Sequence, residues 1–263
     1  MNTISLHAGD LAISASLVAF DAALSVALRL GIHRRILWAA LRMVVQLVAV
    51  GYLLHYVFAI ASPALTLALI VVMAIIAARE IVARPDARFA GTTGYVIAAT
   101  GVAVATVVTV GVALATAIRP QPWFDPRYAI PLAGIVLGSV LNAGSLTLDT
   151  LLSDVRSQAR AIEAQLALGV TYRAAIAPTM RNAIRRGLLP IVNQMSAAGV
   201  ITLPGIMTGQ ILAGADPIEA VKYQILLLFL LAGASGITGV SIAFLTARRL
   251  TDARQRLRLD RLR

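Results

Sequence analysis

The 263-residue sequence has no cysteine, one lysine (Lys222), three histidines and twelve acidic residues. Each shortage excludes something. Without cysteine there are no disulfides, thiolate metal sites or iron–sulfur clusters. The lone lysine follows no glycine-rich loop, so the chain holds no G-x-x-x-x-G-K-[ST] phosphate cradle and binds no ATP through one. His7, His33 and His55 are scattered, with no H-E-x-x-H pair and no Ser/His/Asp set at a useful spacing. An intrinsic enzyme is therefore not expected. Charged residues are only 13% of the chain, against 59% hydrophobic. Soluble domains carry about 25% charge, so this composition belongs to the membrane class.

Seven apolar segments approach the roughly 20 residues that a bilayer-spanning helix needs. They are Asp10–Arg29, Ile36–Phe58, Pro63–Ala78, Phe89–Ala117, Tyr128–Leu148, Leu188–Ala213 and Tyr223–Ala247. The expected fold is an all-α integral membrane protein with about seven transmembrane helices. Residues 1–263 would form a single transmembrane domain. The first segment lacks a basic n-region and reads as an uncleaved span.

The formal net charge is +11, and its distribution sets the orientation. Nineteen arginines fall at the ends of alternate spans and in the tail. The opposite loops hold only Arg119, Arg127 and Lys222. By the positive-inside rule the N-terminus is outside and the C-terminus cytoplasmic. This arrangement accounts for the basic balance without nucleic acid. Trp123, Phe124 and Tyr128 would form an aromatic belt on the outer side. The tail, residues 248–263, is strongly basic and suited to anionic lipid headgroups, at about 1 kcal/mol per arginine near the surface.

Residues 153–187 form the longest cytoplasmic segment. Ser153 is a natural helix N-cap, and Gly169 a helix stop. The pattern predicts a helix, a glycine break, a second helix and then a span. One reading is an interfacial helix whose arginines meet headgroups. The other is a docking helix that passes a cytoplasmic partner's motion to a span.

Polar residues inside spans are costly and face a bundle interior or a cavity. Asp21 and Arg42 lie at similar depths in spans one and two, and are expected to pair across them; a snorkelling arginine is the alternative. Gln46 is one turn above Arg42. Ser139, Asn142, Ser145 and Asp149 form one helical stripe, for helix–helix hydrogen bonding or for pore lining. Pro204 and Gly205 should break the sixth span near mid-depth, and transporters place cargo at such interruptions. Oxygen, nitrogen and thioether groups suit a ferrous ion. Asn142, Asn193, Gln194, Met195, Met207 and Gln46 are thus the candidate translocation path.

The stretch "EAQLALG" resembles the coupling segment of ABC-transporter permeases. Glu163, Ala164 and Gly169 match that pattern, Leu166 lies inside it, and Gln165 replaces the usual second alanine. The Leu-Pro that follows in that family is displaced here to Leu189–Pro190. "LWAALRMVVQLVAVGYLL", "IPLAGIVLG", "QLALGVTYRAA" and "GVITLPGIMTGQILAGADPIEAVKYQI" together resemble the FetB-type iron-export permeases, whose plant relatives act in aluminium tolerance. The resemblance runs from Leu37 to Ile225 and is tightest over Leu203–Gln224. It implies the permease subunit of an ABC exporter in the bacterial inner membrane, working as a homodimer. A separate cytoplasmic ATPase subunit would hold ATP and magnesium, with no cofactor on this chain. Glu163, Ala164, Leu166 and Gly169 would couple to that ATPase. An importer permease, or a secondary transporter or channel without an ATPase, are the alternatives.

Overall fold

The computed structural model describes residues 8–118, 122 and 125–262. Arg119, Trp123 and Phe124, part of the expected outer loop, lie outside the described residues. Among the described residues nine α-helices follow in order: α1 Ala8–Ala27, α2 His33–Ile60, α3 Pro63–Ala83, α4 Thr93–Val112, α5 Pro126–Ser157, α6 Ala159–Ala167, α7 Tyr172–Ala197, α8 Gly205–Leu212 and α9 Pro217–Arg249. A π-helical turn, Ala113–Ile118, extends α4. Only isolated bridges, and no strands, occur among the described residues. The all-α membrane class is what the apolar runs dictate, because hydrocarbon offers no partner for backbone groups and only a helix satisfies its own.

The chain forms two compact units, 1–61 and 62–263. The first is the hairpin of α1 and α2. Its turn uses left-handed backbone at Arg29 (φ 53°) and Gly31 (φ 72°). Ser25 closes it: its carbonyl accepts from the Leu30 amide at 2.9 Å and its Oγ from the Ile32 amide at 3.2 Å. Both helices are apolar and largely exposed, as expected of surfaces that meet lipid or another membrane segment.

The second unit is built on α5, which packs against α3, α4, α7 and α9. The register follows from named neighbours. Gly134 and Gly144 of α5 lie against Met73 and Ile81 of α3, so those helices run parallel. Ser139 meets Ser235 of α9 and Gly144 meets Thr238 and Ile242, also parallel. Asn182 of α7 reaches Asp154 near the end of α5, and Gly187 meets Ala143 and Thr147, so α7 runs antiparallel. Gly101 of α4 lies on Ile242, and Thr93 and Ile97 line one cavity with Leu245 and Arg249, so α4 runs antiparallel to α9. Small residues at these crossings let the backbones approach, as membrane helices favour.

Two expected boundaries are corrected. Among the described residues six helices are long and apolar enough to cross a membrane: α1, α2, α3, α4 with its π turn, α5 and α9. The expected sixth span, Leu188–Ala213, is not one helix. Its first part is the second half of α7, and α8 forms separately after the irregular residues 198–204. Gly199 has a left-handed φ of 83°, and Pro204 is the N-cap of α8. The Pro204–Gly205 break is therefore present. The basic stretch Tyr172–Gly187 joins the Leu-Pro in one helix, because the Thr171 side chain caps its start and nothing stops it until Ala198. The second correction concerns Ser153, which is an interior residue of α5. The chain turns only at Gln158.

Candidate functional site

Two places in the second unit carry polar chemistry. The first lies between α5, α7 and α9. A cavity of about 190 Å³ is lined by Ser139, Asn142, Gly187, Pro190, Gln194 and Ser235, among apolar neighbours. Ser139 Oγ and Ser235 Oγ are 2.7 Å apart, which ties α5 to α9 at its wall. A second cavity of about 350 Å³ shares Asn142 and Pro190, and adds Arg84, Ser145 and Asp149. Arg84 Nη1 donates to Asn142 Oδ1 at 3.4 Å. The two cavities make one polar track along α5, and its residues are the expected stripe of spacing three, three and four. Asn142, Asp149, Pro190 and Gln194 are exposed, so the track is open on the side of the unit. Ser145 Oγ and Thr147 Oγ1 are buried beside it with no hydrogen-bond partner.

Helix α7 approaches α5 this closely at the track because position 187 is glycine. A Cβ there would collide with Thr147 Oγ1 and come within 2.9 Å of the Ala143 carbonyl oxygen. Pro190, three residues on in the same stretch of α7, has no N–H to donate to the Arg186 carbonyl.

Of the expected path residues, the structure brings Asn142 and Gln194 into this cavity. Asn193 is exposed on α7, Met195 packs against the core, and Met207 is half-buried on α8. Gln46 is exposed on α2 of the first unit, as are Asp21 on α1 and Arg42 on α2. No group of three or more His, Cys, Asp or Glu arranged to hold a metal occurs among the described residues. The track offers neutral hydroxyl and amide oxygens, with Arg84 and Asp149 at one end. Arg84 and Ser235 were not singled out by sequence. The signal for Ser235 was available: with Thr238 and Ser241 it repeats every three residues in an apolar run.

The second place is the arginine-rich end. Here α5 turns at Gln158 into α6, and α6 is followed by Leu168 and by Gly169, whose φ is +85°. The Thr171 side chain then starts α7. This is the expected order of helix, glycine break and second helix. Leu168, at the tip of the turn, is 84% exposed. A groove of about 760 Å³ runs between this turn and residues 253–257 of the tail, with Glu163, Leu166 and Gly169 on one wall and Arg254 and Arg256 on the other.

The tail is folded back as a strap. Arg258 N donates to the Leu250 carbonyl at 2.9 Å, and Asp252 Oδ1 accepts from the amides of Arg254 and Arg256 at 2.9 and 3.0 Å. Gln255 Oε1 accepts from the Tyr172 amide at 2.9 Å, and Tyr172 Oη donates to the Ala247 carbonyl at 2.8 Å. Ala90 N donates to the Arg261 carbonyl at 2.8 Å. The strap thus ties the start of α7 to the end of α9 and to the α3–α4 loop. Asp252 is held below the ordinary carboxylate range, first by the Arg256 amide. The Arg258 guanidinium, donating to Asp260 at 2.8 and 2.7 Å, pushes that carboxyl down to about 2.

The family model described as "Uncharacterised protein family (UPF0014)" matches residues 8–251, which takes in the polar track and α6 but ends before residues 253–257 of the groove. The chain belongs to that family. A UPF0014 membrane protein of Synechocystis sp. is 37% identical over 87% of each chain. The probable iron export permease protein FetB of Escherichia coli is 31% identical over 100% of this chain and 99% of its own. The UPF0014 membrane protein STAR2 of rice is 36% identical over 88% of this chain and 79% of its own. No solved structure matches. The chain is accordingly a multi-span UPF0014 membrane protein, in keeping with its six apolar helices.

Proposed function

We propose that the chain is the permease subunit of an ATP-driven exporter in the bacterial inner membrane, driven by a separate cytoplasmic ATPase subunit. One observation carries the reading. The short helix α6 is joined through the left-handed Gly169 to α7, and the same α7 lines the polar track with Pro190 and Gln194. A push on α6 is a push on a helix about 39 Å long, at 1.5 Å per residue, whose far half borders the cavity. Glu163, Ala164, Leu166 and Gly169 would take the push.

The open side of the track supports a homodimer. Polar groups facing hydrocarbon are costly, so a second copy covering Asn142 and Gln194 gives them an environment they can tolerate. Alternating access then requires differential contact between two states, made at α6 and read out along α7. Iron is the cargo named for the E. coli relative, and a metal ion in a hydrated or oxygen-rich shell suits a track of hydroxyls and amides. The likeness of "EAQLALG" to importer permeases favours import as the second reading.

The decisive experiment reconstitutes the chain with its ATPase subunit and measures ATP hydrolysis and vesicle transport across a panel of divalent and trivalent cations. Stimulation by iron with transport away from the ATPase side supports export. Transport that proceeds without any ATPase subunit overturns the proposal.

A further inference from the structure

We infer that the surface taking the ATPase subunit is composite: the C-terminal strap forms its second wall, and the groove between strap and α6 receives an acid-rimmed element of that subunit. This rests on the function proposed above. The resemblance in "EAQLALG" concerns α6 and its glycine alone, whereas the geometry extends the surface to residues far away in sequence.

Three observations carry it. The groove of about 760 Å³ has walls from both segments, so anything that touches Leu166 and Gly169 from outside also meets the strap. Its charge is uneven: Arg254 and Arg256 stand against Glu163 alone, which favours a partner presenting carboxylates. Asp252 offsets Arg256, whose guanidinium it holds at 2.8 and 2.9 Å, so the cation left for a partner's carboxylate is Arg254, which pairs with no carboxylate among the described residues. Apolar anchoring comes from the turn, where Leu168 is 84% and Val170 39% exposed, a tip fit for a pocket.

The strap also fixes where force goes. Gln255 has a left-handed φ of 56° and still grips the Tyr172 amide. Tyr172 is buried and holds the Ala247 carbonyl. A partner seated in the groove therefore grips α7 and α9 together, through α6 on one side and the strap on the other.

The test uses the full chain and its ATPase subunit in nanodiscs of neutral lipid, with affinity measured over a salt series. Arg254→Glu is the main variant, because Arg256→Glu would break the Asp252 network. Arg254→Glu should weaken the complex about fivefold, the size of a rim charge pair, and flatten its salt dependence. Arg254→Lys should restore both. Leu168→Asp should abolish binding whether or not the strap takes part. If Leu168→Asp abolishes binding while Arg254→Glu leaves affinity and salt slope unchanged, the strap is not a wall of the site, and the proposed function stands without it. If Arg254→Glu acts only when anionic lipid replaces neutral lipid, the strap reads headgroups and the inference falls. If the unaltered chain binds no ATPase subunit, the inference and the proposed function fall together.

Discussion

Gly187 of α7 lies so close to α5 that a Cβ on it would sit 2.9 Å from the Ala143 carbonyl oxygen and collide with the Thr147 hydroxyl. The contact involves backbone, which cannot swing aside. Overpacking of this kind costs about 1–3 kcal/mol. Gly187→Val should therefore lower the thermal unfolding temperature and reduce transport. Gly138→Ala on the same α5, where no atom lies within 4 Å, should change neither. Equal effects of the two would show that α5 and α7 do not cross at Gly187.

The Ser139–Ser235 contact at 2.7 Å is an interhelical hydrogen bond inside the bundle. Such bonds in membranes average about 0.6 kcal/mol. A double-mutant cycle with Ser139→Ala and Ser235→Ala should return a coupling near that value. Additive losses would place the two hydroxyls apart.

Asn142 and Gln194 face one cavity from α5 and α7. Neither is needed to bury a core, since both are exposed. Asn142→Leu and Gln194→Leu should each cut reconstituted transport severely while leaving unfolding temperature and ATPase binding unchanged. Full transport by both variants would move the path elsewhere.

Gly169 adopts φ +85° in open space, with no atom within 4 Å of an added Cβ. Substitution there meets no clash, only the backbone cost of a left-handed residue, about 1–2 kcal/mol. Gly169→Val should leave the spans folded and uncouple ATP hydrolysis from transport. Unchanged coupling in vesicles would argue against the α6–α7 lever.

Asp260 titrates at about 2 in the folded strap against an ordinary value of 3.8. A depressed carboxyl stabilises above the unfolded value and loses its effect as pH falls through the folded one. The strap should thus hold between pH 7.5 and 5.0. A spin label at Ala253 should show unchanged mobility across that range, and Asp260→Asn should loosen it at every pH. Loosening of the unaltered chain by pH 5.0 would contradict the Arg258–Asp260 pairing.

Much of this was legible in the sequence, for identifiable reasons. Apolar run length located α1 to α5 and α9, because bilayer thickness fixes the length of a span. Spacing of three and four showed that Ser139, Asn142, Ser145 and Asp149 share a face. The helix, glycine break and helix around Gly169 was readable because only glycine adopts that turn cheaply. The sixth span was misplaced because hydropathy counts Val200, Ile201 and Leu203 as helix formers, while the backbone from Ala198 to Pro204 turns instead. Sequence spacing does not mark Arg84, because its partner, Asn142, is 58 residues away. The strap goes unmarked for the same reason: "ARRLTDARQRLRLDRLR" has no periodicity of its own, and its hold on Tyr172 and Ala90 depends on long-range closure.

That closure bears on the order of assembly. Phe89 and Ala90 leave the ribosome long before Arg261 and Leu262, the residues they meet. Contacts so distant in sequence are slow to form. Until residues 250–262 are made, the amides of Ala90 and Tyr172 lack the partners they have in the folded chain, and the groove has one wall. On the function proposed above, a newly inserted chain would hold its spans before it could present both walls of the groove to an ATPase subunit.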